Sequence, residues 1–282
     1  MNFFTLNCLT KRSCEAFIFP LLCKVNVRPK KHLGQHFLLD LSICENIANA
    51  LQFHGNYTKL VEIGPGTGAL TQFLLKLNTD LSVVEIDEES VAYLNVHFAP
   101  LRGKIYSEDF LRMNLRERFG DNFAVVGNFP YNISSQILFK VLDEWQCVPE
   151  LVGMFQKEVA MRVASGPGSK DYGILSVLLQ VYYDMEYLFT VNEDVFDPPP
   201  KVKSGVIRMK RKDTPLVTSH EREFKMVVKT AFNQRRKTLR NSLKSLIQPG
   251  TSTELELFNK RPEQLGVMEF LELTHLLFPD KK

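Results

Sequence analysis

The feature that most constrains the fold of this chain is a glycine-rich turn placed directly after an apolar strand pattern. Residues 60–63 read LVEI, and residues 64–68 read GPGTG. Glycine permits a tight turn and lets the main chain approach another group closely. A helical pattern follows at residues 69–77, so the sequence predicts a strand–turn–helix unit of an α/β fold.

Further strand patterns follow at intervals that leave room for helices. They occupy residues 81–86 (LSVVEI), 104–109 (KIYSED), 123–128 (FAVVGN) and 151–156 (LVGMFQ). A helix is predicted at residues 88–98, directly after the second strand. Apolar strands that alternate with helices indicate a parallel sheet covered on both faces. We therefore predict a Rossmann-like α/β domain.

The chain changes character after residue 212, where the strand patterns stop. Helical patterns then cover residues 221–246 and 261–277, separated by a Pro-Gly pair. Proline and glycine at such a point favour a break between two helices. We predict that residues 28–212 form the α/β domain and that residues 213–282 form a small all-helical domain.

The first 27 residues differ in composition from the rest of the chain. They contain three of the five cysteines and a short apolar run behind two basic residues. No small-residue cleavage site follows that run, which argues against a signal peptide. We expect residues 1–27 to be a disordered extension or an artefact of an upstream start codon, with the true start near Val25.

Composition and charge distribution narrow the class of protein. With 282 residues, 44% hydrophobic and 24% charged, the chain resembles a soluble globular protein. The net charge is only +3, but residues 201–212 carry six basic side chains without an acidic one, and residues 224–244 carry seven. Phosphate backbones attract clusters of this kind, so a nucleic-acid partner is favoured.

The five cysteines are scattered and form neither a Cys-x-x-Cys pair nor a zinc pattern with the six histidines. Such usage is typical of reduced thiols in a cytosolic protein, so we predict a cytoplasmic location and no metal site. No apolar run approaches transmembrane length, which indicates no membrane partner.

The glycine-rich turn is compatible with two cofactors. Gly64, Gly66 and Ala69 satisfy the spacing of a dinucleotide-binding loop, which would hold a nicotinamide cofactor. The same turn suits S-adenosyl-L-methionine (SAM). Glu85, at the end of the second strand, can bind ribose hydroxyls in either case.

Three details favour SAM. Glu62 stands just before the glycines, a placement that resembles the E/D-x-G-x-G-x-G loop of SAM-dependent methyltransferases. Asp109, at the end of the third strand, is placed to receive the adenine amino group of that cofactor. A tetrapeptide at residues 128–131 begins at the end of the fourth strand, which is where open α/β sheets bind a ligand. Taken separately, Glu62 would suit a helix cap and Asp109 a surface turn; together they predict a SAM-dependent methyltransferase.

That tetrapeptide is Asn128-Phe129-Pro130-Tyr131. The amide oxygen of Asn128 and a nearby main-chain carbonyl can both accept hydrogen bonds from an amino group. Pro130 restricts the backbone before it, and Tyr131 can stack on a base. The four residues therefore suit a clamp for the exocyclic amine of a flipped or single-stranded base, although alone they would equally suit an ordinary strand-to-helix turn.

The ordered set of segments resembles the KsgA-type ribosomal RNA small-subunit adenine dimethyltransferases over about residues 28–282. The matching segments are PKKHLGQHFL, VEIGPGTGALT, VVEID, GNFPYNIS, VFDPPPKVKSGVIR, FNQRRKTLRNSL and RPEQL. Two positions depart from that family, which often has Asn where His36 stands and usually has Leu where Phe129 stands. We expect Phe129 to contribute mainly its backbone carbonyl.

The resemblance implies roles for further residues. The cofactor-binding set would be His36, Leu38, Gly64, Glu85, Asp109 and Asn128. Phe196 would take the face of the target base opposite Tyr131, although a core aromatic at a strand end is the alternative. A basic set is expected to contact RNA phosphates, although a solvated helix face would have the same composition: Arg235, Arg236, Lys237 and Arg240.

The function that the resemblance implies is N6-dimethylation of two adjacent adenosines near the 3′ end of 16S-type small-subunit rRNA, with SAM as the methyl donor. The partners would be that rRNA and the immature small ribosomal subunit, and the protein would act as a monomer during subunit maturation. Two alternatives stay open at this point. One is a large-subunit rRNA adenine-N6 methyltransferase, and the other is a non-catalytic RNA-binding assembly factor.

Overall fold

A computed structural model describes residues 27–217, 219–249 and 251–279. The expectation for residues 1–27 therefore concerns residues that, apart from Val27, lie outside those described.

Within these residues the chain forms nine strands. They are β1 (Phe37–Leu38), β2 (Lys59–Ile63), β3 (Asp80–Val84), β4 (Ile105–Tyr106), β5 (Phe123–Asn128), β6 (Glu150–Gln156), β7 (Tyr183–Val191), β8 (Phe196–Asp197) and β9 (Ser204–Arg211). Seven of them form one sheet in the order β4-β3-β2-β5-β6-β9-β7. The short strands β1 and β8 pair with each other beside it.

The predicted parallel sheet is confirmed for its first five strands, β4 to β6 in the sheet order. Strand β9 is the exception, because it runs antiparallel to both β6 and β7. The connection from β7 to β9 contains only a short 3₁₀ turn and β8, without the crossover helix that parallel neighbours usually require. The sheet is therefore mixed at one edge.

Ten α-helices lie in the same described ranges. They are α1 (Leu41–Asn49), α2 (Thr71–Leu74), α3 (Glu88–His97), α4 (Leu115–Phe119), α5 (Ser134–Asp143), α6 (Lys157–Ala164), α7 (Ile174–Gln180), α8 (Glu221–Asn233), α9 (Leu239–Ser242) and α10 (Val267–Leu277). Asp40 caps α1 by accepting a 2.9 Å hydrogen bond from the Ser42 backbone N–H.

Three predicted helices are shorter than expected. The pattern at residues 69–77 forms only α2 and flanking turns. The helix predicted at residues 261–277 begins at Val267, after a short 3₁₀ turn at Pro262–Gln264. The predicted helix 221–246 ends at Asn233 and resumes at Leu239 as α9. The residues between them, 234–238, are all polar and supply no apolar face to hold a helix against the core.

Helices cover both faces of the sheet, as predicted. Successive β2 residues point to opposite sides, with Leu60 in one buried cluster and Val61 in the other. Phe224 of α8 and Phe270 of α10 are buried in the same cluster as Val61. The division of the chain near residue 213 stays a prediction, because the C-terminal helices share this core.

Candidate active site

A cavity lies at the carboxyl ends of the central parallel strands, which is where open α/β sheets bind ligands. It is lined by nine of the residues that the sequence singled out: His36, Leu38, Gly64, Glu85, Asp109, Asn128, Phe129, Pro130 and Tyr131. Five separate segments of the chain contribute these residues, and the fold brings them together.

The glycine-rich turn forms one wall of the cavity. Gly64 and Gly66 have φ angles of 67° and 54°, in the left-handed region that favours glycine. A Cβ atom on Gly66 would lie 2.9 Å from Cε1 of Phe37. The turn therefore needs glycine both for its backbone conformation and for the close approach of the N-terminal arm, residues 27–39.

Glu85 joins this turn to the end of β3. One carboxylate oxygen accepts a 3.1 Å hydrogen bond from the Gly66 N–H, and the other accepts a 2.9 Å bond from the Asp87 N–H. The side chain is buried, and burial raises its pKa above the ordinary value. Glu85 thus fixes the turn in addition to facing the cavity.

Glu62 lies beneath the same turn and is 1% exposed. It accepts a 2.6 Å hydrogen bond from the Thr71 hydroxyl. No main-chain N–H among the described residues donates to its carboxylate, so Glu62 does not cap a helix. Burial raises the pKa of Glu62 to about 8, and the negative charge of Glu85 acts in the same direction. A carboxyl group of this kind can change its protonation near neutral pH.

Asp109 has two roles in the structure. It caps a short 3₁₀ helix by accepting a 3.0 Å hydrogen bond from the Leu111 N–H, and it lies 3.4 Å from Nε of Arg112. It also lines the cavity at the end of β4. Asp109 is therefore both a turn residue and a residue of the cavity lining.

The N-terminal arm closes one side of the cavity and is held at several points. Lys30 forms an ion pair with Asp87. Phe37 and Leu38 pair with β8, and Nδ1 of His36 lies 2.6 Å from the carbonyl oxygen of Pro198. The arm is thus tied both to the β3–α3 turn and to the proline-rich segment before β9.

Asn128 is oriented by the arm. Its Nδ2 donates a 3.1 Å hydrogen bond to the carbonyl oxygen of His36. No residue in the described ranges donates to its Oδ1 or to the carbonyl oxygen of Phe129. Both oxygens are therefore available to accept hydrogen bonds from a ligand.

Tyr131 lies beside this pair of acceptors. Its ring stacks on His36 with centroids 5.3 Å apart and an interplanar angle of 30°. Its hydroxyl forms a hydrogen bond with the hydroxyl of Ser204, and burial raises its pKa. The ring is consequently neutral and held at a defined angle at the mouth of the cavity.

Phe196 does not lie where the family resemblance implied. Its side chain is 3% exposed and is buried in the core cluster that includes Leu38, its partner across the β1–β8 pair. Pairing of β8 with the arm turns the ring into the core and away from the cavity lining. The alternative, a core aromatic at a strand end, describes its position here.

The basic residues after α8 divide into two pairs. Arg235 donates to the carbonyl oxygens of Ser169 and Lys170, and Arg240 donates to that of Thr253. Arg236 and Lys237 are exposed, and no residue in the described part of the chain pairs with either side chain. Two of the four thus brace loops and two have no partner among the described residues, and the contact of all four with RNA phosphates stays a prediction.

Several apolar residues of the cavity were missed at the level of sequence, among them Ile86 and Leu111. Ile86 directly follows Glu85, and Leu111 lies two positions after Asp109. Ile86 is 53% exposed, so its side chain is accessible to a ligand in the cavity. The signal was present: an apolar residue follows each acid by one or two positions.

The sheet order and the cavity together define the class of this protein, a SAM-dependent methyltransferase with a Rossmann-like fold. Comparison with known proteins identifies the particular family. A model of the ribosomal RNA adenine dimethylase family matches residues 26–270, and the chain belongs to that family.

Close relatives cover nearly the same span. A protein of Parabacteroides distasonis named ribosomal RNA small subunit methyltransferase A is 59% identical over 88% of this chain and 93% of the relative. A protein of the same name from Cytophaga hutchinsonii is 56% identical over 89% of this chain and 98% of the relative.

Solved structures share the fold. A dimethyladenosine transferase from Plasmodium falciparum superposes with a TM-score of 0.70 at 24% identity, covering 84% of this chain and 96% of that one. The 23S rRNA methyltransferase ErmE has a TM-score of 0.62 at 23% identity, covering 86% and 99%. At these identities the likeness concerns the fold alone. No helix among the described residues is long and apolar enough to cross a membrane.

Proposed function

We propose that this enzyme dimethylates the N6 positions of two adjacent adenosines near the 3′ end of small-subunit ribosomal RNA. The names of the relatives at 59% and 56% identity support the choice of the small subunit. The observation that carries the chemistry is the orientation of Asn128. Its amide nitrogen is already bonded to the His36 carbonyl, so its oxygen remains for the amine of a substrate.

The residues that line the cavity fit SAM. The left-handed turn at Gly64 and Gly66 is a cradle that Cβ atoms would distort. Glu85 would accept from ribose hydroxyls, and Asp109 would accept from the adenine amino group, with Ile86 and Leu111 against the adenine ring. When bound, SAM supplies a methyl group activated by the positive charge of its sulfonium.

The two acceptors, Oδ1 of Asn128 and the carbonyl oxygen of Phe129, would act on the target adenine. Its exocyclic amine is a poor nucleophile because the lone pair is delocalised into the ring. If Oδ1 of Asn128 and the Phe129 carbonyl accept the two N–H bonds, the nitrogen becomes pyramidal and its lone pair is exposed. These acceptors matter most as the nitrogen gains positive charge, and the proton then leaves to water.

Tyr131 would hold the base during this step. An adenine stacked within double-stranded RNA cannot present its amine to the cavity, so the nucleotide must be flipped out or single-stranded. Stacking of a base on an aromatic ring contributes roughly 1–3 kcal/mol. The hydrogen bond to Ser204 and the stack on His36 keep the Tyr131 ring in position for that contact.

The RNA backbone would lie along basic side chains near this opening. One groove is lined by four lysines and three acidic residues: Lys157, Lys170, Lys201, Lys203, Glu158, Asp171 and Glu193. The Lys157 N–H donates a 2.9 Å bond to the Lys203 carbonyl, which places the groove next to Ser204 and hence next to Tyr131. Arg236 and Lys237 would extend the contact onto the helical segment 213–282, which we propose as the RNA-binding domain.

We further propose that the enzyme acts as a monomer in the cytoplasm on an immature small ribosomal subunit. The support is the substrate itself, because adenosines near an rRNA end must be accessible before the subunit is complete.

The direct test is to incubate the protein with labelled SAM and unmethylated small-subunit particles, and in parallel with large-subunit RNA, and to map the modified nucleotides. We expect two adjacent dimethylated adenosines near the 3′ end of the small-subunit RNA. Label found only in the large-subunit RNA, or no label at all, would reject the proposal.

A further inference from the structure

Phe129 is one of the two positions at which the sequence analysis expected a departure from the family, and the structure shows what surrounds its side chain. The ring is 1% exposed and lies over two glycines, Gly127 of β5 and Gly153 of β6, which are direct partners in the parallel ladder. The ring of Phe155 packs against it with centroids 4.9 Å apart. We call the space above the two glycines the glycine notch.

The notch leaves no room for a side chain at residue 153. A Cβ atom on Gly153 would lie 2.1 Å from Cε2, 2.8 Å from Cδ2 and 2.9 Å from Cζ of Phe129. The three nearest atoms all belong to the Phe129 ring, so the ring is the first obstacle that an alanine would meet. Gly127 differs, because a Cβ atom there would also meet the main-chain oxygen of Ile63 at 2.6 Å.

Phe129 supplies both the ring that fills the glycine notch and one of the two carbonyl or amide oxygens proposed to accept from the amine. The Phe129 N–H donates a 3.1 Å hydrogen bond to the Met154 carbonyl, and its own carbonyl is one of the two proposed amine acceptors. Since a buried ring in a dense core cannot swing aside freely, pressure on the ring moves the main chain at residues 128 and 129.

We propose that Gly153 is a positioning residue for methyl transfer, which acts through the Phe129 ring to set the amine acceptors. Gly153 lies in β6, outside the cavity lining, and touches neither cofactor nor base. The inference rests on the proposed adenine-N6 activity and deepens it. A displacement of about 1 Å at a reacting centre can cost about a hundredfold in rate.

The test compares Gly153→Ala, Phe129→Leu and the double variant with the wild-type protein. The measurements are single-turnover methylation of unmethylated small subunits, SAM affinity by calorimetry and thermal melting. We expect Gly153→Ala to lose about a hundredfold in turnover with SAM affinity unchanged. The double variant should recover to the rate of Phe129→Leu, because the smaller side chain vacates the notch. Gly166→Ala, at a glycine with nothing near its Cβ position, is the control.

Wild-type turnover by Gly153→Ala overturns the inference, as does a double variant no faster than Gly153→Ala. A loss of SAM affinity parallel to the loss of rate also overturns it, because it indicates general damage to the site. If Gly153→Ala does not fold, the double variant must fold and match Phe129→Leu, and its failure to do so refutes coupling through the ring. An inactive wild type would instead refute the proposed function.

Discussion

Replacing Glu62 with glutamine should change how the stability of this protein depends on pH. Glu62 is 1% exposed and its carboxylate has no cationic partner among the described residues, so burial disfavours its charged form. Glutamine has nearly the same shape and can still accept the hydrogen bond that Thr71 donates. The substitution therefore removes the titration and little else.

The direction of the pH dependence follows from the number of protons that the folded and the unfolded states bind. The pKa of Glu62 is raised from 4.5 to about 8, so between these values the folded state holds more protons than the unfolded state. The free energy of unfolding then decreases as pH rises. At about 1.4 kcal/mol per pH unit, and with Glu62 half ionised at pH 8, the group lowers stability by about 2 kcal/mol between pH 6 and pH 8, and by about 5 kcal/mol over its whole titration.

Urea unfolding of the cofactor-free protein at pH 6 and pH 8 measures this effect. Glu62→Gln should be more stable than the wild type, by a margin about 2 kcal/mol larger at pH 8 than at pH 6. Titrating groups that do not interact with Glu62 are present in both proteins and cancel in the difference, whereas the coupling of Glu62 to Glu85 is part of the measured effect. Glu45→Gln, at an exposed glutamate on α1, is the control for loss of charge. An identical margin at both pH values would refute the argument.

Four further variants separate the proposed roles. Asn128→Ala should lower the rate of methyl transfer by about 10²–10³-fold or more while SAM affinity is retained, because one amine acceptor is lost; near-normal turnover would contradict this role. Glu85→Ala should weaken SAM binding about tenfold or more in calorimetry, since a charge-assisted acceptor and the brace of the turn are both removed. Arg236→Ala with Lys237→Ala should reduce the salt dependence of RNA binding, whereas Arg235→Ala should lower the melting temperature first; equal salt slopes would exclude the phosphate contacts.

The sequence was most informative where chemistry and chain order coincide. Acidic, amide and glycine residues stand at the ends of successive strands, and in a parallel sheet all these ends meet at one edge. Glu85, Asp109 and Asn128 could therefore be assigned to one site without a structure. The alternation of strand and helix patterns predicted the central sheet for the same reason, because each pattern depends only on residues close in sequence.

Contacts between distant segments were not predictable in this way. The antiparallel insertion of β9 depends on a connection that lacks a helix. The burial of Phe196 depends on pairing with an arm more than a hundred residues earlier, and Arg235 is bound to carbonyls of the loop at residues 169 and 170. A side chain's neighbours decide whether it faces a ligand or the core, and here those neighbours come from elsewhere in the chain.

By itself, the sequence determined the fold class and the position of the cofactor turn, and it predicted the residues of the proposed amine clamp, since these rest on local patterns and on strand-end order. Only the tertiary structure decided that both oxygens of the proposed clamp are free, how a buried Glu62 titrates and why Phe129 fits. The physical reason is that hydrogen-bond pairing, desolvation and steric room are properties of a packed environment. Gly153 illustrates this: in the sequence it is one glycine in an apolar strand, and in the fold it leaves room for the Phe129 ring beside the amine clamp.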